Sequence, residues 1–464
     1  MKTVDFWFDY TCPYAYLAST RIEEIARETG ASLRWRPMLL GGVFSAVGTP
    51  QRLFATLSPQ KALHNARDLE RWAARFDVPL VMPAGHPLRS VEALRATLAT
   101  GCDPAVIHGL FAAYWRDGRC PSERDVLRGV LSRAGHDADA VLAATRGDGL
   151  RAALRAETDA AVALGIFGAP AMVVDGELFW GQDRLDALAE ALGAPAGRQA
   201  WNGARAARLD VRHAPQALPT DGHPPASSPP TPPRAARLHV YYDYASPWAY
   251  LGTERVRAVA ARTAAEVVWH AILVGGLFRD LGQVDVPLLA MSEAKRRFTL
   301  RDLEREARRA GLPFRFPTRF PLRSVQLLRL DLALGDAGAR DAFRRAAMRA
   351  VWAEDADVAD AATVRGLVAE ALASTGAGET ADDVLGRAES PGVKQALREA
   401  TTAAATRGVF GVPTYIVGDV GAELYWGQDR LGLVEDALRG AARAGHGEHG
   451  RNAAGAGGSG EAPP

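Results

Sequence analysis

The stretch Asp243-Tyr244-Ala245-Ser246-Pro247-Trp248-Ala249-Tyr250-Leu251 follows an alternating apolar run, Leu238, Val240 and Tyr242, and leads into a helical pattern. Alternation of this kind marks a strand, and Pro247 suits the first turn of a helix. The same arrangement occurs earlier as Asp9-Tyr10-Thr11-Cys12-Pro13-Tyr14-Ala15-Tyr16-Leu17, after Val4, Phe6 and Phe8. In both stretches a small nucleophile-type residue, Ser246 or Cys12, stands where a strand hands over to a helix N-terminus. Free backbone N–H groups and about half a positive charge gather at such an end, which favours a thiolate. The first stretch offers its own thiol there. The second offers a hydroxyl suited to hydrogen-bond a thiolate brought by a ligand.

The likeness extends well beyond these stretches. At the Cys12-to-Ser246 offset of 234 positions, Trp35 matches Trp269 and Gly41-Gly42-Val43-Phe44 matches Gly275-Gly276-Leu277-Phe278. Asp68-Leu69-Glu70-Arg71 likewise matches Asp302-Leu303-Glu304-Arg305, and Pro87-Leu88-Arg89-Ser90 matches Pro321-Leu322-Arg323-Ser324. Further on, Gly165-Ile166-Phe167-Gly168-Ala169-Pro170 matches Gly408-Val409-Phe410-Gly411-Val412-Pro413. Phe179-Trp180-Gly181-Gln182-Asp183-Arg184 matches Tyr425-Trp426-Gly427-Gln428-Asp429-Arg430. Ordered, collinear anchors of this length mark a tandem duplication of a whole domain. The expected domains are residues 1–194 and 237–440. Between them, residues 195–236 form a Pro-rich linker that cannot bury enough apolar surface to fold, and the Gly- and Ala-rich tail 441–464 is expected to be disordered as well.

Each repeat reads as strand, helix, strand, a long helical section, a hairpin and a last helix. In the first, the helix covers about Pro13 to Glu28 and the second strand Ser32 to Pro37. Helical periodicity runs from Pro59 to Leu164, and the hairpin turns at Asp175-Gly176. A βαβ unit followed, after an insert, by a hairpin and a helix is the thioredoxin topology, although other α/β folds with a helical insert fit the same order. The expected fold is therefore α/β: two tandem thioredoxin-like domains, each with a large helical insert.

Composition narrows the function. The 464 residues are 48% hydrophobic and 23% charged, with a formal net charge of +1. That balance suits a soluble protein with ample core and gives no global electrostatic case for nucleic acid or a membrane surface. Cys12, Cys102 and Cys120 provide neither a disulfide framework nor zinc spacing, which suits a reducing compartment. With no signal-peptide pattern and no bilayer-length apolar run, a cytoplasmic protein is expected.

Together, the three anchors resemble the 2-hydroxychromene-2-carboxylate isomerase and kappa-class glutathione transferase branch of the DsbA-like thioredoxin superfamily. The resemblance covers nearly all of each repeat. It implies that Ser246 lies beside the glutathione sulfur and holds it as thiolate, and that Pro413 is a cis-proline facing the active-site helix. Val412 would pair its backbone with the cysteinyl backbone of glutathione, while Gln428 and Asp429 hold its γ-glutamyl end. A helix N-terminus with an Asp side chain suits such a zwitterionic head, and a cis X–Pro bond presents a backbone edge to an extended peptide. In the first repeat the equivalents are Cys12, Ala169, Pro170, Gln182 and Asp183. On the substrate side, Tyr244, Trp248 and Trp426 would form an aromatic wall. Arg279 offers a cation to a small aromatic or conjugated carboxylate, where the first repeat has Ser45. Relatives commonly pair two such domains, so an internal pseudo-dimer is expected.

The first repeat departs from the branch. Cys12 replaces serine and resembles the attacking cysteine of DsbA-like oxidoreductases, yet Ala15 stands where a Cys-x-x-Cys partner would be. Three functions follow. The first is a glutathione-dependent isomerase of the chromene type, or a related transferase, centred on Ser246. The second is a single-cysteine thiol–disulfide oxidoreductase centred on Cys12, whose pKa at a helix end would fall to roughly 3.5–7.5. The third is a non-catalytic binding module. Plain structural readings compete throughout: serine before proline is a favoured helix cap, Asp183 and Asp429 are placed to cap their helices, and the tryptophans suit a core.

Overall fold

The computed structural model describes residues 1–51, 56–195, 236–376, 378–419 and 422–450, with side chains of the last helix described as far as Ala441. Residues 196–235 of the expected linker, and the expected tail beyond residue 450, fall outside the described residues. The first repeat runs β1 (Thr3–Phe8), α1 (Pro13–Thr29), β2 (Ser32–Pro37), α2 (Leu40–Val47) and α3 (Pro59–Phe76). It continues through α4 (Val91–Ala99), α5 (Pro104–Trp115), α6 (Arg124–Arg133), α7 (Ala138–Ala144) and α8 (Asp148–Ala163). It closes with β3 (Ala171–Val174), β4 (Glu177–Trp180) and α9 (Leu185–Leu192).

The second repeat opens with β5 (Arg237–Tyr242), α10 (Pro247–Thr263), β6 (Glu266–Ala271) and α11 (Val274–Asp280). Its helical section holds α12 (Pro287–Ala290), α13 (Glu293–Arg309), α14 (Val325–Ala333), α15 (Ala337–Trp352), α16 (Ala361–Thr375), α17 (Ala381–Ala388) and α18 (Pro391–Thr406). The hairpin is β7 (Thr414–Val417) and β8 (Glu423–Trp426), and α19 (Leu431–Gly450) follows. α19 thus runs ten residues further than the Gly- and Ala-rich composition of the tail suggests.

Each sheet has four strands, in the orders β2-β1-β3-β4 and β6-β5-β7-β8. β1 pairs parallel to β2 and antiparallel to β3, and β5 repeats this with β6 and β7. The alternation along β1 has its physical cause in the core: Val4, Phe6 and Phe8 are fully buried. Phe6 and Phe8 meet Trp35 edge-on, with ring centroids 5.1 and 5.7 Å away, so Trp35 is a core residue. Two tryptophans of the helical section fasten it to the strand–helix loops. Trp115 Nε1 donates to the Tyr10 carbonyl at 2.8 Å, and Trp352 Nε1 donates to the Tyr244 carbonyl at 2.9 Å.

The chain gathers into two compact units, and their composition does not follow the repeat order. The first unit contains repeat one together with Gln283–Leu312 of repeat two, which carries α12 and α13; the second contains the rest of repeat two. Within the first unit, α13 is held by charge. Asp302 pairs with Arg184 at 2.9 Å, Arg305 with Glu177 at 2.7 Å, and Arg309 with Glu190 at 2.9 Å. Arg184 and Asp302 are almost fully buried. A buried, doubly hydrogen-bonded ion pair of this kind fixes register more than it adds stability. Among the described residues, no helix is long and apolar enough to cross a membrane.

Candidate functional site

In the second repeat, β5 ends at Tyr242 and the chain turns through Asp243 and Ala245 into α10, with Ser246 as the N-cap. The Ser246 hydroxyl accepts the Ala249 N–H at 3.2 Å and donates to the Val412 carbonyl at 3.4 Å. The cap uses the oxygen as acceptor and leaves the hydroxyl proton for a second partner. The Val412–Pro413 bond is cis, as expected, and so is Ala169–Pro170. Gly411 is a glycine for a steric reason: a Cβ there would lie 2.7 Å from Trp426 Nε1. Past Trp426, Gly427 takes φ 106°, which only glycine adopts readily. It starts the tight turn Gln428–Arg430 before α19. Gln428 is buried and accepts a hydrogen bond from Arg255, and Asp429 sits 3.1 Å from Arg430. Ser246 thus meets Val412 and the cis-proline at the start of α10, and the Pro413 carbonyl accepts the Gly427 N–H at 3.0 Å, which anchors the turn carrying Gln428 and Asp429 beside it.

The substrate-side expectations fare unevenly. Trp248 and Trp426 are half-buried, consistent with a wall. Tyr244 is not part of one. It is fully buried, its ring lies edge-on to Tyr242, and its hydroxyl donates to Asp331 at 2.7 Å. The buried Asp331 carboxylate also takes the Tyr242 hydroxyl and the Arg340 guanidinium, so Tyr244 serves the core. Arg279 stands exposed on the last turn of α11, and no contact brings it to Ser246.

The first repeat has the same backbone and a different chemistry. Cys12 caps no N–H; its Sγ donates to the Ala169 carbonyl at 3.1 Å. The residue is only 7% exposed, and burial pushes its thiol up to about 12 against the opposing pull of the Ala15 and Tyr14 N–H groups. The low thiol pKa expected from the helix end is therefore corrected: desolvation outweighs the helix terminus. Gln182 is buried and its Nε2 has no partner among the described residues. Asp183 pairs with Arg184 at 3.2 Å. Trp180 is met by the α13 residues Phe298, at 6.1 Å between rings, and Lys295, whose ammonium lies 5.6 Å from the ring centroid. Burial lowers the Lys295 pKa.

Sequence reasoning passed over three features. Asp9 and Asp243 are fully buried carboxylates directly before the nucleophile loops, and burial raises both. A second pair of cis bonds, His86–Pro87 and Phe320–Pro321, precedes the repeated Leu-Arg-Ser. The exchange of α13 into the first unit is the third. The repeated Asp-Tyr and Pro-Leu-Arg-Ser motifs were the visible signals for the first two; nothing local marks the exchange.

Against known families, the DSBA-like thioredoxin domain matches residues 3–193 and again residues 237–439. The chain belongs to that family and carries two copies of its domain. Within it, one relative is the 2-hydroxychromene-2-carboxylate isomerase of Sphingobium xenophagum, 35% identical over 189 residues, 40% of this chain and 96% of that protein. Human glutathione S-transferase kappa 1 is 25% identical over 209 residues, 41% of this chain and 91% of that protein. Among solved structures, a 2-hydroxychromene-2-carboxylate isomerase is 28% identical, with a TM-score of 0.37, and covers 41% of this chain and 94% of its own. Each alignment is about one repeat long.

Proposed function

We propose that the second repeat is a glutathione-dependent isomerase site of the 2-hydroxychromene-2-carboxylate type. The observation that carries this reading is the half-buried Ser246 hydroxyl at the start of α10, beside the cis Val412–Pro413 edge. The 3.4 Å bond to the Val412 carbonyl is long for a hydroxyl donor. The proton is therefore easily redirected to a sulfur placed beside the loop. The donor set suits a thiol peptide: a hydroxyl and a helix end for the sulfur, a backbone edge at Val412, and Asp429 with its turn for an amino-acid head. Relatives bearing the isomerase name and the glutathione transferase name support the same assignment.

When bound, glutathione supplies a thiol that adds reversibly to a conjugated substrate, allows ring opening and rotation about the former double bond, and leaves unchanged. The chain's own work is electrostatic and positional. The N-terminus of α10 favours negative charge on the sulfur, and the Ser246 hydroxyl adds one aimed donor to it. Trp248 and Trp426 form the apolar wall that keeps water from the reacting carbons. Val412 and Asp429 fix the thiol's carrier, so the sulfur needs no reorganisation. The raised thiol of Cys12 weighs against the oxidoreductase alternative.

The test is turnover of 2-hydroxychromene-2-carboxylate by dialysed protein, followed by absorbance with and without added glutathione. We expect turnover only with the thiol. Equal rates in both conditions defeat the reading, as does an absence of glutathione binding by titration calorimetry.

A further inference from the structure

Three repeated motifs converge on one carboxylate that has no part in that mechanism. Asp243 is fully buried. Its Oδ1 accepts the Ala245 N–H at 2.9 Å and its Oδ2 accepts the Val274 N–H at 2.8 Å. The Ser324 hydroxyl faces the same carboxylate and favours its charged form. Ala245 directly precedes Ser246. Val274 opens α11, the Gly275-Gly276-Leu277-Phe278 helix. Ser324 ends the Pro-Leu-Arg-Ser motif and occupies the N-cap of α14.

The detail at Ser324 is informative. Serine is among the best N-cap residues, yet the Ser324 side chain makes no bond to its own helix. It leaves that helix end uncapped and turns to Asp243. α11 is likewise uncapped by its own Leu273, and Asp243 meets its first N–H instead. Repeat one reproduces every element. Asp9 accepts the Thr11 N–H at 3.0 Å and the Leu40 N–H at 2.8 Å. The Ser90 hydroxyl favours the charged form of Asp9, and Ser90 also makes no cap. The surrounding loops have meanwhile diverged, as Cys12 against Ser246 and Thr11 against Ala245 show. Burying a carboxylate costs several kcal/mol unless it is fully hydrogen-bonded, so a turn alone would not retain it twice.

We infer that Asp243 is the positioning residue that fixes the Ser246 loop against the start of α11, and so sets where the Ser246 hydroxyl points. The inference rests on the proposed role of Ser246. One rigid carboxylate holds one N–H from each segment on its two oxygens, so neither segment shifts without breaking a charge-assisted bond. The loop of Ser324 closes the third side.

The experiment compares the full chain with Asp243→Asn and Ser324→Ala, by two independent readouts. The first is amide hydrogen exchange. Asparagine keeps the shape but has one acceptor oxygen, so Ala245 or Val274 should lose about tenfold protection while the β5 amides do not. Wild-type protection at both amides in Asp243→Asn overturns the inference, whether or not the protein turns over any substrate. The second readout is a split in binding and kinetics. Glutathione affinity and stoichiometry by calorimetry should be preserved. The kcat/KM for 2-hydroxychromene-2-carboxylate should fall about 10- to 100-fold, the cost of a small misplacement, with a smaller fall in Ser324→Ala. A general loss of folding lowers the binding stoichiometry instead, and that outcome, or an unchanged kcat/KM beside wild-type turnover, also overturns it. If wild type binds glutathione but does not turn over the chromene, the isomerase reading fails and the exchange result alone decides the tether.

Discussion

The Cys12 loop and the Ser246 loop have the same backbone and opposite chemistry. Both follow a buried aspartate, both open a helix with proline, and both direct a side chain at the carbonyl before a cis-proline. Cys12 is buried and Ser246 is half-buried. A helix end stabilises a nearby anion by about 0.3–1 kcal/mol at ordinary exposure. The rise of the Cys12 thiol from 9.0 to about 12 corresponds to about 4 kcal/mol against ionisation. Burial therefore decides the contest, and the first loop is built to keep its sulfur neutral. A helix N-terminus prepares a thiolate only where something polar replaces the lost water. On the proposed reading, that replacement in the second loop is the Ser246 hydroxyl, which exchanges its 3.4 Å bond to the Val412 carbonyl for one to a sulfur from outside.

The largest expected effect tests the Cys12 side of this contrast. A thiol titrating near 12 is ionised to about one part in ten thousand at pH 8. Carbamidomethylation of Cys12 by iodoacetamide, followed by peptide mass spectrometry, should run about 1,000-fold slower than that of free cysteine. Its rate should keep rising with pH beyond pH 10. Fast labelling at pH 8 would erase the distinction between the loops. Next in size is the Ser246 side. Ser246→Ala should lower glutathione-dependent turnover about 100-fold, the usual cost of removing one aimed donor. Cys12→Ala should leave turnover within about twofold. Equal losses in the two variants would mean that both loops work.

Much of this contrast could be read from the chain. The strands, α1 and the hairpin at Asp175-Gly176 follow from alternation, capping and turn chemistry, which act over a few residues; the cis-prolines before the Trp-Gly-Gln-Asp-Arg motifs were legible only through the family resemblance. Burial was out of reach, because it depends on what other segments bring. The sequence around Cys12 predicts a lowered pKa, and only the packed core of the first unit reverses it. Tyr244 fails as a wall residue for the same reason: its partner Asp331 lies 87 positions away. The place of α13 is the extreme case. Asp302 and Arg305 look like any charged helix face until Arg184 and Glu177 meet them across more than a hundred residues of chain.

A smaller contrast lies beneath the two cis-prolines. In the second repeat, Gly252 on α10 faces Tyr415: a Cβ at Gly252 would fall 2.3 Å from the Tyr415 hydroxyl and 2.8 Å from Pro413 Cγ. The first repeat has Ala18 and Met172 at these places, so the small and large partners have changed together. Gly252→Ala should destabilise the second unit by about 1–3 kcal/mol through overpacking, measured by urea denaturation. Tyr415→Met in that background should recover most of the loss. A fully stable Gly252→Ala protein would show that the site can relax and that the exchange of partners carries no constraint.

The smallest effect separates the repeats by pH. His270 on β6 stacks flat on Tyr241 at 4.4 Å and shares a 2.9 Å hydrogen bond with His239, which also meets Asp419 at 3.0 Å. Burial first, then His239, Arg407 and Arg340, bring His270 down to about 4. The matching position in repeat one is Arg36, which pairs with Glu157 at 2.8 Å. An unfolded histidine titrates near 6.5. Between these values the unfolded chain binds a proton that the folded chain refuses, so stability falls as pH drops from about 6.5 to about 4 and then levels off. The full difference corresponds to about 3 kcal/mol, and solvent screening at a third-exposed ring reduces it to about 1 kcal/mol. Urea denaturation at pH 7 and pH 4.5 should therefore show a loss of that size in wild type that His270→Gln lacks. Identical losses in the two proteins would place the acid sensitivity elsewhere and remove this difference between the repeats.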